Sequence, residues 1–142
     1  MKTMKTKPKK SAKKARARKK ILIIEDNRSL ILALSEKFKR EKFEVLTAYN
    51  GKTGLKAALG HKPDIILLDL LMPVMDGTTM LKHLRKDEWG KNVFVVMLTN
   101  KEPDSSLLNE AERLPYASTY LMKDNYDLAS IVKIVKNKIA NS

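Results

Sequence analysis

The chain has 142 residues, of which 29 are Lys or Arg and 16 are Asp or Glu, giving a formal net charge of +13, and it contains no cysteine. Disulfides and thiolate metal sites are therefore excluded, as is typical of a reducing, intracellular compartment. No apolar run approaches the roughly 20 residues of a membrane helix, so we expect a cytoplasmic protein without a membrane span.

The positive charge is concentrated at the N-terminus. Residues 1–20 hold eleven Lys or Arg and no acidic residue, which leaves the remainder almost neutral. This segment has too few apolar side chains for their burial to offset the conformational entropy that it would lose on folding, and its like charges repel. We predict a disordered basic tail over 1–20 and one domain over 21–142. If the tail binds nucleic acid, the contacts would come from Lys9, Lys10, Lys13, Lys14, Arg16, Arg18, Lys19 and Lys20. Weak binding to anionic lipid and a merely solubilising role stay open.

The first half of the domain alternates short apolar runs with amphipathic stretches. Ile21–Ile24 predicts a buried strand that ends in two acids. Helical spacing of apolar residues follows over 28–41. An edge strand is expected over 43–48, and then a short helix that begins after Asn50 and is closed by Gly60.

The central strand is Ile65–Leu68, an apolar run that ends in Asp69. A buried carboxylate without a partner is costly, so Asp69 needs a cation, hydrogen-bond donors or water. Taken alone, such an aspartate is more often a solvated strand end or a helix cap. The other strand ends change that interpretation.

The second half continues the alternation. Asp76 is expected to cap a helix with Met80, Leu81 and Leu84 facing inward. The remaining predicted elements are a strand over 93–98 that ends at Thr99, a helix capped by Asp104, a strand over 118–122 that precedes Lys123, and a closing helix over 128–139.

Five strands that alternate with five helices predict a doubly wound α/β fold, in which right-handed crossovers make the strands parallel. The predicted strand order is the flavodoxin-like 2-1-3-4-5. Ligands in such folds bind beyond the carboxyl ends of the strands. We therefore expect one cluster of polar groups there, made by Glu25, Asp26, Asp69, Thr99 and Lys123.

This cluster predicts phosphoryl chemistry. Carboxylates held close together repel unless a hard cation lies between them, and an all-oxygen site suits Mg²⁺. Mg²⁺, Lys123 and Thr99 would neutralise the phosphoryl oxygens while Asp69 attacks phosphorus in line. The carboxylates expected to hold the metal are Asp26, Asp69 and Glu25.

Residues 21–142 resemble a response-regulator receiver domain of two-component signalling, similar to the single-domain chemotaxis type. The resemblance is carried by Glu25 and Asp26, by Asp69 and the loop Met72-Pro73-Val74-Met75-Asp76-Gly77, and by Thr99, Tyr120 and Lys123. It implies Asp69 as phosphoacceptor, Thr99 and Tyr120 as switch residues, and a histidine kinase as phosphodonor. It also implies a Mg²⁺ requirement, with the backbone carbonyl of Leu71 as a metal ligand beside the carboxylates. An output protein would dock near the fourth and fifth helices.

The sequence thus predicts a stand-alone signalling domain that is not an enzyme beyond its own phosphorylation and dephosphorylation. Two alternatives remain: a nucleic-acid-associated protein that acts through its tail, and a phosphorelay intermediate. Leu71, two residues beyond the acceptor, is apolar and cannot orient a water molecule, which predicts a long-lived phosphorylated state.

Overall fold

The structure is a computed structural model that describes residues 18–70, 72–99, 119–123 and 126–141, with only the backbone of residue 99. Within these ranges the elements are β1 (Lys20–Ile24), α1 (Arg28–Arg40), β2 (Glu44–Ala48), α2 (Gly51–His61), β3 (Ile65–Asp69), α3 (Gly77–Leu84), β4 (Phe94–Thr99), β5 (Thr119–Met122) and α4 (Leu128–Ala140). The helix expected after Asp104 lies outside the described residues, so α4 corresponds to the fifth predicted helix.

The five strands form one parallel sheet in the order β2-β1-β3-β4-β5, which confirms the predicted fold. β1 and β3 are central and are made almost entirely of buried Ile and Leu. Runs of this kind are typical of parallel strands covered on both faces. β2 lies at an edge and has partly exposed side chains, as its sequence predicted.

Helices cover both faces of the sheet. On one face Ile21, Ile23 and Leu67 pack with α1 and α4, and on the other Leu22, Ile24 and Leu68 pack with α3 and the partly buried Leu55 of α2. Successive strand residues point to opposite faces, so each apolar strand supplies both halves of the core. None of the helices in the described ranges has the length and apolar content that crossing a membrane requires.

Several predicted element ends differ from the structure by one residue, and two of these corrections bear on the edges of the sheet. β1 begins at Lys20, not at residue 21, because the Lys20 N–H donates to an Asp64 carboxylate oxygen at 2.8 Å and the Glu44 N–H donates to the Lys19 carbonyl at 2.8 Å. These long-range bonds bring the end of the predicted tail into the sheet. Residues 1–17 of that tail lie outside the described part of the chain.

The second correction concerns α2. Gly60 does not close this helix, which continues to His61 and ends at Lys62, a residue in the left-handed conformation with φ 48°. The Lys62 N–H bonds back to the Ala58 carbonyl at 2.9 Å. The exposed Gly60 is thus an ordinary helical position.

The same edge of the sheet holds the carboxyl ends of the strands and the starts of the helices. The side chains of Asn27, Asn50, Asp76 and Asp127 each accept a backbone N–H in the first turn of the helix that follows. Such caps satisfy N–H groups that have no partner within the helix. We call this edge the carboxyl edge and the opposite one the amino edge.

Candidate functional site

Three carboxylates meet at the carboxyl edge. Glu25 and Asp26 follow β1 directly, and Asp69 is the last residue of the neighbouring strand β3. One oxygen from each lies within 4.8 Å of the others. Glu25 and Asp69 are buried, with 2% and 5% exposure, whereas Asp26 is exposed. The structure therefore brings together the acidic residues that the sequence singled out, and leaves the cluster open to solvent on the side of Asp26.

Lys123 supplies a positive charge to this cluster. It follows β5, and its Nζ lies 2.6 Å from Glu25 Oε1 and 3.7 Å from Asp69 Oδ2. Glu25 Oε2 accepts the Asn27 N–H at 3.0 Å. Both oxygens of Glu25 are thus engaged by the protein, so this residue orients Lys123 and leaves the more open coordination positions to Asp26 and Asp69.

Burial, and after it the negative charge of Glu25, raise the pKa of Asp69 from 3.8 to about 7, while Lys123 acts in the opposite direction. A hydrogen bond with Asp26 also favours the protonated form. Near neutral pH, Asp69 is therefore divided between its protonated and ionised forms. A cation placed among the three carboxylates would favour ionisation, because opposite charge stabilises a carboxylate.

The donor set fits Mg²⁺. Three carboxylates and no nitrogen or sulfur ligand provide the hard oxygen atoms that this ion prefers, and the exposed side of Asp26 leaves room for the water ligands that it retains. The remaining predicted ligand, the carbonyl of Leu71, lies outside the described residues. The chemistry of the described carboxylates agrees with the sequence prediction of a magnesium site.

The loop after Asp69 is packed tightly against the end of β3. The Gly77 N–H donates to the Leu70 carbonyl at 2.8 Å, and a Cβ at Gly77 would lie 2.3 Å from the Asp69 carbonyl oxygen. The Met75 carbonyl accepts the Gly51 N–H at 3.1 Å, and a Cβ at Gly51 would lie 2.4 Å from that same oxygen. The two glycines therefore permit close backbone contacts that fix the loop beside the carboxylates.

The predicted switch residues lie on neighbouring strands. Thr99 ends β4 one position after Leu98, the register partner of Asp69, so its backbone belongs to the same edge. Tyr120 lies in β5, is half-buried, and packs against the core on the side of α2 and α3. The roles of Thr99 and Tyr120 as switch residues stay a prediction.

Sequence reasoning missed one contact at this edge. The Arg28 guanidinium carbon lies 4.4 Å from the centroid of the Tyr49 ring, which is a cation–π geometry. Arg28 begins α1 and Tyr49 follows β2, so only the pairing of β1 with β2 brings them together. No local spacing in the sequence indicates such a pair. It links the acidic β1–α1 connection to the next loop.

Comparison with known proteins gives a consistent match. Residues 21–136 match the family model of the response regulator receiver domain. Sporulation initiation phosphotransferase F of Bacillus subtilis is 31% identical over 117 residues, which cover 82% of this chain and 90% of that protein. By contrast, the aligned region covers only 35% of the length of the alkaline phosphatase synthesis transcriptional regulatory protein PhoP of Bacillus subtilis, which is 38% identical over 87 residues.

Solved structures share this fold. The chemotaxis protein CheY4 of Vibrio cholerae superposes with a TM-score of 0.76 at 26% identity, covering 84% of this chain and 98% of that one. The receiver domain of a sensor histidine kinase of Pseudomonas aeruginosa, solved with a magnesium ion coordinated in its active-site cleft, gives a TM-score of 0.73 at 25% identity. That likeness covers 87% of this chain and 98% of the other.

Proposed function

We infer that this chain, which belongs to the response regulator receiver domain family, accepts a phosphoryl group on Asp69 from a histidine kinase and thereby switches a protein-binding surface. The observation that carries this proposal is the position of Asp69, buried among Glu25 and Asp26 with the Lys123 ammonium 3.7 Å away. Lys123, together with a cation bound by the carboxylates, would compensate the negative charge of a phosphoryl group on Asp69. The family consists of phosphoacceptor signalling domains, not of classical enzymes.

In the proposed reaction an ionised Asp69 oxygen forms a bond to phosphorus while the bond between phosphorus and the donor nitrogen breaks. The electron pair leaves with the imidazole of the donor histidine, which then takes up a proton. Bound Mg²⁺ would supply compensation for the charge of the phosphoryl oxygens. Asp26 and Asp69, with the Leu71 carbonyl, are the residues proposed to hold it, while Glu25, the third predicted carboxylate ligand, would add its negative charge and keep Lys123 in place.

Lys123 has a positioning and an electrostatic role in this proposal. Its ammonium already lies between Glu25 and Asp69, so it can contact a phosphoryl oxygen on Asp69 without a large movement. The short ion pair with Glu25 fixes the position of the Lys123 ammonium group. Fixed charges of this kind stabilise developing charge without the cost of reorganisation at the moment of reaction.

Thr99 and Tyr120 are proposed to relay the phosphorylated state. The Thr99 hydroxyl would be drawn toward the phosphoryl group, and Tyr120 would then turn inward. The half-buried position of Tyr120 on β5 supports this assignment. The change would be a shift between two packed arrangements, and it would alter the surface of the predicted fourth helix, β5 and α4, where an output protein docks.

The test uses a small phosphodonor, so that it does not depend on identifying the kinase. Incubation with acetyl phosphate and Mg²⁺ should add one phosphoryl group by intact mass, and EDTA or Asp69→Asn should abolish the addition. Glu36→Gln, which alters an exposed carboxylate on α1, is the matched control and should react normally. Phosphorylation of Asp69→Asn at the wild-type rate would refute the assignment.

Two further functions remain proposals. Phosphorelay transfer to a histidine protein is supported by the likeness to sporulation initiation phosphotransferase F, a protein named for phosphotransfer. Nucleic-acid association through the tail would use the lysines and arginines of 9–20. Among the described members of that set, Arg18 and Lys19 are exposed. A chain shortened to begin at residue 18 should lose most duplex retention if the tail carries binding.

A further inference from the structure

The amino edge of the sheet collects basic residues that are far apart in sequence. Helices in this fold return the chain to the start of the next strand, so their last residues lie beside the starts of the strands. Around the adjoining starts of β2, β1 and β3 we define the basic edge by seven residues: Arg18, Lys19, Lys20, Lys39, Arg40, Lys42 and Lys62. All except Lys20 are exposed.

Acidic residues offset only part of this charge. Between residues 18 and 20, 39 and 44, and 61 and 64, the acids are Glu41, Glu44 and Asp64. Glu88 lines a cavity with Lys62 and Asp64 and is paired with Lys91 at 3.1 Å. Glu41 is paired with Lys136 of α4 at 2.5 Å, and Asp64 is held by the Lys20 N–H at 2.8 Å. The basic edge thus retains an excess of positive charge, which fits an anionic partner.

The backbone gives a second, independent indication. Lys42 and Lys62 have φ of 71° and 48°, and they are two of the three positive-φ residues other than glycine in the described ranges. Each lies just after a helix, where glycine or asparagine usually adopts this conformation. For a lysine the left-handed conformation costs free energy. The chain tolerates that strain at two exposed positions, and both place an ammonium group on the basic edge.

Strain of this kind at a surface is a reason to look for function. Neither lysine is needed to end its helix, because the capping bonds involve only backbone atoms. The Lys62 N–H donates to the Ala58 carbonyl at 2.9 Å, and the Lys42 N–H donates to the Lys39 carbonyl at 3.0 Å. Glycine would make the same bonds with less strain, so at both positions the chain carries an ammonium group at a conformational cost.

The chemistry of the basic edge favours phosphates over bases or lipid tails. Of the large apolar side chains that are exposed in the described ranges, Leu32, Tyr49, Val74 and Tyr126 lie away from this edge, and Leu59 near it is only 36% exposed. Trp89 and Phe94 line a cavity with Lys62, but both rings are partly buried. The edge therefore offers no fully exposed aromatic ring on which bases could stack and no strongly exposed apolar group that would insert into a bilayer. Cations without a base reader bind the phosphate backbone regardless of sequence.

We propose that the basic edge is a binding surface for the phosphate backbone of double-stranded DNA, with Lys42 and Lys62 as fixed contacts beside the origin of the basic tail. The surface belongs to the folded domain, so this inference does not depend on the phosphoacceptor function. The basic edge lies at the amino ends of the strands, whereas Asp69 lies at a carboxyl end. A strand of five residues separates the two edges by about 16 Å. DNA bound there leaves the carboxyl edge accessible to a phosphodonor.

The experiment compares the full chain with Lys42→Gly/Lys62→Gly in binding to a fluorescent DNA duplex of about 20 base pairs, over salt from about 50 to 200 mM. The double variant should raise the Kd about ten-fold or more at the lowest salt. It should reduce the slope of log Kd against log salt by about 1.8, since each lost phosphate contact removes about 0.9. Its thermal unfolding midpoint should be unchanged or raised, because glycine relieves the left-handed strain.

The matched control is Lys52→Ala/Lys133→Ala, which removes two exposed lysines outside the basic edge and should leave the slope unchanged. Lys42→Arg/Lys62→Arg, which keeps both charges, should retain binding. An unchanged slope in the glycine variant, or an equal loss in the control, would overturn the proposal. A glycine variant that loses binding to phosphatidylserine vesicles but keeps duplex binding would also overturn it. Acetyl phosphate should phosphorylate Asp69 equally well with saturating duplex, and inhibition would contradict the stated placement.

Discussion

Replacing Asp69 by asparagine should stabilise the metal-free domain at alkaline pH, although it removes the proposed phosphoacceptor. Asp69 is 5% exposed, and its pKa is raised from the ordinary value of 3.8 to about 7, first by burial and then by the charge of Glu25. Between pH 3.8 and about 7, the folded protein therefore keeps on Asp69 a proton that the unfolded chain has lost. Stability from this group is fully present below pH 3.8 and is lost as the pH rises through about 7.

The size of the effect follows from the same pKa. A difference of about 3 pKa units, at 1.36 kcal/mol each, corresponds to an upper limit of about 4 kcal/mol of folding free energy at pH 8. Glu25 and Asp26 interact with Asp69, so the protons belong to the cluster and the effect of one substitution is smaller. We expect Asp69→Asn to raise the free energy of unfolding by about 1–3 kcal/mol at pH 8 and by less than half as much at pH 5, because most of the penalty develops between pH 5 and about 7. Lys123 keeps its partner in the variant, because its bond to Glu25 remains.

Urea unfolding in EDTA at pH 5, 6, 7 and 8 measures this directly, since the free energy falls linearly with denaturant. The wild type should lose stability relative to Asp69→Asn as the pH rises. Added Mg²⁺ should stabilise the wild type at pH 8 and not the variant. Glu36→Gln controls for the removal of one negative charge at an exposed position. A stability difference between Asp69→Asn and wild type that is equal at pH 5 and pH 8 would refute the assigned burial penalty.

Three further changes test the loop and the switch. Gly77→Ala places a Cβ 2.3 Å from the Asp69 carbonyl oxygen, so urea unfolding should show a loss of about 1–3 kcal/mol, and acetyl phosphate should react more slowly. Thr99→Ala should still be phosphorylated, but calorimetry should show that phosphorylation no longer changes the affinity for an output protein; an unchanged affinity ratio removes Thr99 from the switch. Leu71→Asn should speed loss of the phosphoryl group about ten-fold if one oriented hydrogen bond worth about 1.4 kcal/mol is gained; decay of the wild type within seconds would contradict this interpretation.

The sequence predicted those features that depend on local pattern. Apolar runs such as Ile21–Ile24 and Ile65–Leu68 gave the central strands, and helical spacing identified Met80, Leu81 and Leu84 as buried residues of α3. The alternation of elements and the parallel crossover rule then placed Glu25, Asp26 and Asp69 at one edge. For this fold, a polar residue at the end of a strand is enough to locate the site.

Features that depend on pairing between distant segments were not predicted. The extension of β1 to Lys20 depends on Asp64 and Glu44, which lie far along the chain. The end of α2 at Lys62 depends on a lysine in a conformation that propensity assigns to glycine. The dual role of Glu25, which binds Lys123 with one oxygen and Asn27 with the other, requires coordinates of both partners. The sequence shows that these residues are present, but it does not give the distances between them.

The same topology that builds the acidic site also builds the basic edge. Because all five strands are parallel, their carboxyl ends and the starts of the helices share one edge, and there the chain places Glu25, Asp69, Asp76 and Asp127. The ends of the helices share the other edge, where lysine and arginine interact favourably with the helix dipole. Ordinary helix stabilisation accounts for Lys39 and Arg40, which lie within the last turn of α1. Lys42 and Lys62 lie at the same helix ends, but their left-handed backbones favour glycine. The proposed DNA contact is therefore tested at these two lysines, where replacement by glycine removes the charge without adding backbone strain.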